Sequence, residues 1–190
     1  MNSQTILQVY NFIKVLNDFK SVERLSIIKE NGRRESDAEH TWHLVMAIWL
    51  LSQEHHKPLD LLKCIKLALV HDLVELYAGD VYAFDPTNKR TEKEEKEQHA
   101  IQMIGSQLPD NLSNEIRSLW NEYEQRETEE GRFVWGVDKL MPRIQYIITK
   151  GDLSDNLPND PARKSYQEDQ IKKISPIIEK FLDLIKAENN

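Results

Sequence analysis

Cysteine is almost missing from this chain: Cys64 stands alone among 190 residues, which excludes an intramolecular disulfide and fits a reducing compartment. Glycine and proline are scarce as well, 6 and 7 in all, so flexible linkers have little room and long helices are favoured. The longest apolar run, Leu44 to Leu51, is far shorter than a membrane span. The start MNSQTILQVYN lacks the basic opening of a signal peptide, and a cytoplasmic protein without a membrane partner is expected. Excess positive charge is missing too. With 25 Lys and Arg against 32 Asp and Glu, the net charge of -7 argues against an extended nucleic-acid footprint, while a small phosphate held by a few cations stays allowed. There is no phosphate-cradling glycine loop, nucleophile elbow or CxxC pair.

What is present is an ordinary globular composition, 39% apolar and 30% charged, enough for one compact domain spanning 1-190. Periodicity is helical nearly throughout, and no segment alternates as a strand does. A first helix is expected from Ser3 to Lys20, with Ile6, Val9, Tyr10, Ile13 and Leu16 along one face. After a mixed segment, Ser36 and Glu39 have capping-box spacing and open a second helix that carries His40 in its first turn or so. A third is capped by Asp60 and runs to Ala78, stopped by Gly79. Asp85 to Arg90 is a candidate lid, followed by a charged helix that opens at Thr91. Further helices are expected over Ser113 to Gln125 and Thr128 to Lys150, the latter bent or restarted at Pro142. The tail opens with Asp160 and Pro161 and is interrupted at Pro176.

One stretch of the third helix breaks its own pattern. ALVHDLVEL places His71 and Asp72 among leucines and valines, where a carboxylate is costly unless paired, neutralised or bound to a metal. Residues three or four apart share a helix face, so Glu75 joins them. An imidazole beside a carboxylate suits Mn, Fe, Co, Ni or Zn, with Mg less natural. Taken alone, a His-Asp dipeptide reads more simply as a hydrogen-bonded core pair. His40, one helix earlier, and Asp138, one step off the apolar stripe of a late helix, offer the remaining members of a larger set.

The order H, then HD, then D resembles the HD-domain metal-dependent phosphohydrolases. AEHTWH supplies His40, ALVHDLVELYAGD supplies His71 and Asp72, and GVDKL supplies Asp138. The likeness covers about residues 20-150 and leaves a helical extension at about 160-187. RRESDAEHTWH and HDLVELYAGD look most like the branch containing bacterial 5'-deoxynucleotidases and their oxetanocin-like relatives. The resemblance implies an all-α fold, a single compact multi-helix HD-domain bundle. It implies one divalent metal (Mn, Co, Fe, Ni, Zn or Mg) on His40, His71, Asp72 and Asp138, with Glu75 handling the water's proton beside Asp72. Only His99 lies between the HD pair and Asp138, which is why a single metal is expected.

Phosphate needs cationic donors, and Arg24, Arg33, Arg34 and Lys139 are the candidates. Arg24 comes first by resemblance to an Arg-Trp pair in the relatives. Here the pair is Arg24-Leu25, so strict deoxyribose preference is not implied. Asp80 matches an acidic position near the sugar. The activity implied is hydrolysis of nucleoside, above all deoxynucleoside, 5'-monophosphates to nucleoside and phosphate. The alternatives are another nucleotide phosphodiesterase or pyrophosphohydrolase of the superfamily, or a non-catalytic nucleotide-binding module with a structural metal. His43 is expected as a core neighbour of His40, and His55 and His56 as solvated helix-end residues. A homodimer and a monomer with its tail folded back suit the pattern equally.

Overall fold

Residues 3-80, 90-150 and 161-188 are described by a computed structural model. Most of the proposed lid, Asp85 to Arg90, and the expected cap Asp160 lie outside these residues. The chain forms α1 (Ser3–Val15), a 3-10 turn (Asp18–Ser21), β1 (Glu23–Ile27), β2 (Arg34–Ser36), α2 (Asp37–Ser52), α3 (Leu61–Val70) and α4 (Glu75–Ala78). There follow α5 (Arg90–Ser106), α6 (Asp110–Gln125), α7 (Glu129–Ile148), α8 (Pro161–Lys172) and α9 (Pro176–Glu188). Among the described residues the fold is all-α apart from one small hairpin. Among the described residues no helix is long and apolar enough to cross a membrane.

The first helix stops at Val15, five residues before the expected end at Lys20. The chain then tightens to i to i−3 bonds, Phe19 N to Leu16 O and Lys20 N to Asn17 O, with Phe19 buried as the anchor. The face expected to seek the core does not: Ile6, Tyr10 and Ile13 are 52%, 58% and 60% exposed, and Phe12 on the other side is buried. The hairpin went unforeseen because β2 has three residues, too few to show alternation. Its sequence signal was Gly32, which closes a four-residue loop after Ile28 with φ +67, the left-handed conformation that favours glycine. β1 and β2 are antiparallel, pairing Glu23 with Ser36 and Ile27 with Arg34.

The capping box at the start of α2 is formed: Glu39 N donates to Ser36 Oγ and Ser36 N donates to Glu39 Oε2. Asp60 caps α3 through Lys63 N. α7 runs unbroken through Pro142. α3, however, ends at Val70, and residues 71-74 form a tight turn before the short α4. The turn links two apolar clusters. Leu67 and Ala68 belong to the main core with Leu44, Ile48, Phe133, Val137, Leu140, Ile171, Ile178 and Leu182. Leu73 and Val74 belong to a second core with Phe12, Ile101, Ile104 and Trp120. Each cluster pulls its own side of the turn, and His71 and Asp72 sit where the pulls divide.

Candidate metal centre

Three elements bring the expected ligands together: the first turns of α2, the end of α3 and the middle of α7. His40 Nε2 lies 3.0 Å from Asp138 Oδ1 and 3.9 Å from Asp72 Oδ2. His71 Nε2 lies 2.9 Å from Asp72 Oδ2 and 3.7 Å from Asp138 Oδ1. Donor atoms on adjacent corners around an ion at about 2.1 Å lie roughly 3 Å apart, so this spacing suits one shared ion. His71 donates Nδ1–H to the Ala68 carbonyl at 2.8 Å, which leaves Nε2 facing the carboxylates. That buried nitrogen makes no well-directed hydrogen bond, although both carboxylates lie within 3.7 Å of it. An imidazole nitrogen packed against two carboxylates and a second imidazole is what a divalent metal would satisfy, and the N2O2 set fits Mn, Fe, Co, Ni or Zn.

The charges agree with this geometry. Burial disfavours the charged form of Asp72, but His71 and Arg24 outweigh it and hold the carboxyl well below its usual range. For Asp138, burial is likewise overcome by Lys139, His40 and His71. His40 is pushed down to about 4 by burial and by Arg24. On His71, burial is outweighed by Asp72 and Asp138, which push it up to about 10, so Nε2 is the position that takes a cation or a proton. Asp138 Oδ2 is occupied: Tyr123 Oη donates to it at 2.7 Å and Lys139 Nζ at 2.6 Å.

Arg24 reaches the cluster from β1. Its Nη1 donates to Asp72 Oδ2 at 2.6 Å and to Asp37 Oδ1 at 3.0 Å, and its Nε lies 3.9 Å from Glu35 Oε2. Asp37, Asp72 and Glu75 place carboxylate oxygens within 4.8 Å of one another. Glu75 is pushed up to about 12, by burial first and then by Asp72, Asp80 and Asp37. Asp80, just past Gly79, is raised by burial and Asp72 against the pull of Arg24, Lys93 and Lys139.

Not every expected residue joins. Arg33 is half-exposed on the hairpin and is paired with Glu39 through both Nη atoms, so the capping box holds it away from the cluster. Arg34 is exposed on β2. His43 is half-buried in a groove with Lys20, Trp42 and Gln145, and His99 is exposed on α5. His55 is not solvated as expected: its ring packs edge-on to Phe133 at 5.0 Å. Asp37 and Tyr123 went unnoticed. Asp37 reads as an ordinary acid favoured by the helix dipole, and Tyr123 as one more core aromatic.

A family model described as HD domain matches residues 16–180. The chain is 28% identical to the 5'-deoxynucleotidase HDDC2 of Bos taurus over all of its own length and 90% of that protein. It is 32% identical to the 5'-deoxynucleotidase HDDC2 of Mus musculus, across 80% of this chain and 72% of the mouse protein. Among solved structures, a predicted metal-dependent phosphohydrolase from Magnetospirillum magnetotacticum MS-1 superposes with a TM-score of 0.85 at 27% identity, covering 97% of this chain and 95% of that one.

Proposed function

Because the chain belongs to the HD-domain family, we propose that it is a metal-dependent phosphomonoesterase that hydrolyses nucleoside 5'-monophosphates, deoxynucleotides among them, to nucleoside and phosphate. The observation that carries this reading is the cluster of His40 Nε2, His71 Nε2 and Asp72 Oδ2 within 4.8 Å of one another, with Asp138 Oδ1 against both histidines, in a chain whose relatives are named 5'-deoxynucleotidases. Those four residues hold a single divalent ion. When bound, such an ion supplies a Lewis acid for water and a phosphoryl oxygen, and positive charge that offsets Asp72 and Asp80.

Glu75 then takes or orients the proton of the attacking water from one turn past His71. Arg24 steadies the charge that spreads over the phosphoryl oxygens in the transition state. Asp80 faces the sugar. With Leu25 where the resembling nucleotidases carry tryptophan, the sugar is screened less strictly, and ribonucleotides are turned over measurably. Asp72→Ala tests the centre: metal content by elemental analysis and phosphate release from deoxynucleoside and ribonucleoside monophosphates both fall to background. Full retention of either refutes the reading.

The same reading places the enzyme in the cytoplasm, with buried Cys64 reduced, and has two copies associating through the exposed apolar side chains of α1 and α2, among them Tyr10, Ile13, Trp42 and Trp49. Sedimentation that shows only the monomer mass refutes the dimer.

A further inference from the structure

Asp37 is the first residue of α2 and is fully buried, yet it belongs to neither the capping box nor the four-residue cluster. Its backbone N donates to Val22 O at 3.0 Å, tying the helix to the chain just ahead of Arg24. Its Oδ1 accepts from Arg24 Nη1 at 3.0 Å, and its carboxylate is buried beside Asp72 and Glu75, near enough to Glu75 for the two carboxyls to share a hydrogen bond. A dehydrated carboxylate is costly, and one that only complements a helix N-terminus is normally left exposed to water. Stabilising the helix therefore does not account for its place.

Two readings of the Asp37, Asp72 and Glu75 triangle compete. As a cation site of its own it would put the ion against the Arg24 guanidinium, which already touches two of the three carboxylates. As a clamp it explains the guanidinium's geometry. Nη1 is held between Asp37 and Asp72, while among the described residues Nη2 makes no hydrogen bond. A guanidinium fixed by one nitrogen presents its remaining donors in a set direction, and phosphate recognition by arginine depends on that direction.

We infer that Asp37 is a positioning residue that holds Arg24 by Nη1 so that Nη2 meets the substrate phosphate beside the four-residue cluster. This rests on the proposed reading of Arg24 as a phosphate contact. Without Asp37 the guanidinium keeps one hydrogen bond, to Asp72, and the longer 3.9 Å pair of its Nε with Glu35. Asp37 supplies the second point that fixes its plane.

The test compares wild type, Asp37→Ala and Asp37→Asn, each loaded with Mn. It measures bound metal, orthophosphate affinity by calorimetry, and KM and kcat on a deoxynucleoside 5'-monophosphate. Asp37→Ala weakens orthophosphate binding and raises KM by about tenfold or more, as expected for a lost hydrogen bond to a charged group, with the metal count unchanged. Asp37→Asn, which keeps an acceptor oxygen for Nη1, recovers most of that affinity. Equal affinities in all three proteins overturn the inference, as does a lower metal count in Asp37→Ala, which makes Asp37 a cation ligand instead. If the wild type binds orthophosphate but hydrolyses no nucleotide, the nucleotidase reading fails and the affinity comparison still decides on Asp37. A wild type that does not bind orthophosphate overturns both.

Discussion

Asp138 divides its carboxylate between two tasks. Oδ1 faces the histidine nitrogens, and Oδ2 takes the Tyr123 hydroxyl and the Lys139 ammonium. Such outer partners fix the rotamer of a ligand, and removing one costs about 10–100-fold in metal affinity. Tyr123→Phe keeps the ring against His71, 5.2 Å between centroids, while deleting the donor, so it should weaken metal binding by that factor with folding intact. A competition titration against a chelating dye checks this. Glu75→Gln separates chemistry from metal binding: the metal stays, and kcat falls by about 10²–10⁴-fold if the carboxylate moves the proton. Turnover at the wild-type level would leave Glu75 no such part. His71 and Asp72 were legible because they interrupt an apolar run, with Glu75 on their face, and Asp138 because it lies one step off an apolar stripe; the resemblance to the HD-domain family joined His40 to them. Asp37 and Tyr123 were not, since a helix-start acid and a core tyrosine look ordinary until their neighbours are known.

At the scale of elements, the informative case is the helix that was expected to run unbroken to Ala78. It breaks after Val70 through i to i−3 bonds, Leu73 N to Val70 O at 3.2 Å and Glu75 N to Asp72 O at 2.9 Å, with no proline or glycine to announce it. Local propensity favours a continuous rod there. The break comes from packing, because Leu67 and Leu73 are claimed by different cores. The stop at Gly79 was legible, and the reason is conformational: φ is 75 with ψ 156, a region essentially restricted to glycine. A Cβ there meets nothing within 4 Å, so Gly79→Ala costs backbone strain alone, about 1–3 kcal/mol. Its thermal midpoint should drop at about 2–4 °C per kcal/mol, and displacement of Asp80 should raise KM as well. Calorimetry and steady-state kinetics on one preparation check both.

At the scale of the whole molecule, α8 and α9 are part of the core. Ile171, Ile178 and Leu182 are fully buried and Ile185 nearly so, all in the main cluster with Phe133 and Leu140. At about 1.5–3 kcal/mol for each buried aliphatic side chain, these four represent roughly 6–12 kcal/mol, comparable with the roughly 5–15 kcal/mol that stabilises a typical domain. A chain ended after Lys150 should therefore lose its cooperative unfolding transition, as read by circular dichroism on heating. Chelation is expected to abolish turnover, to lower the unfolding temperature because a ligand that binds only the folded form stabilises it, and to be reversed by Mn or Co. Calorimetry with and without the added ion checks this.

The sequence by itself determined the helical class and most helix starts and stops, and it marked His71 and Asp72 as polar groups in an apolar run. These follow from periodicity, capping chemistry and the cost of burying charge, all of which act over a few residues, whereas the grouping of His40, His71, Asp72 and Asp138 around one ion came from the resemblance to the HD-domain family. Tertiary structure alone decided that Arg33 is held away from the cluster by Glu39, that a hairpin carries Arg24 to it, and that α1 leaves its apolar face exposed. It also decided that the His71–Asp72 turn, rather than a straight rod, presents the ligands. Those outcomes depend on which apolar surfaces claim one another across the chain, a competition between distant residues that no local pattern records.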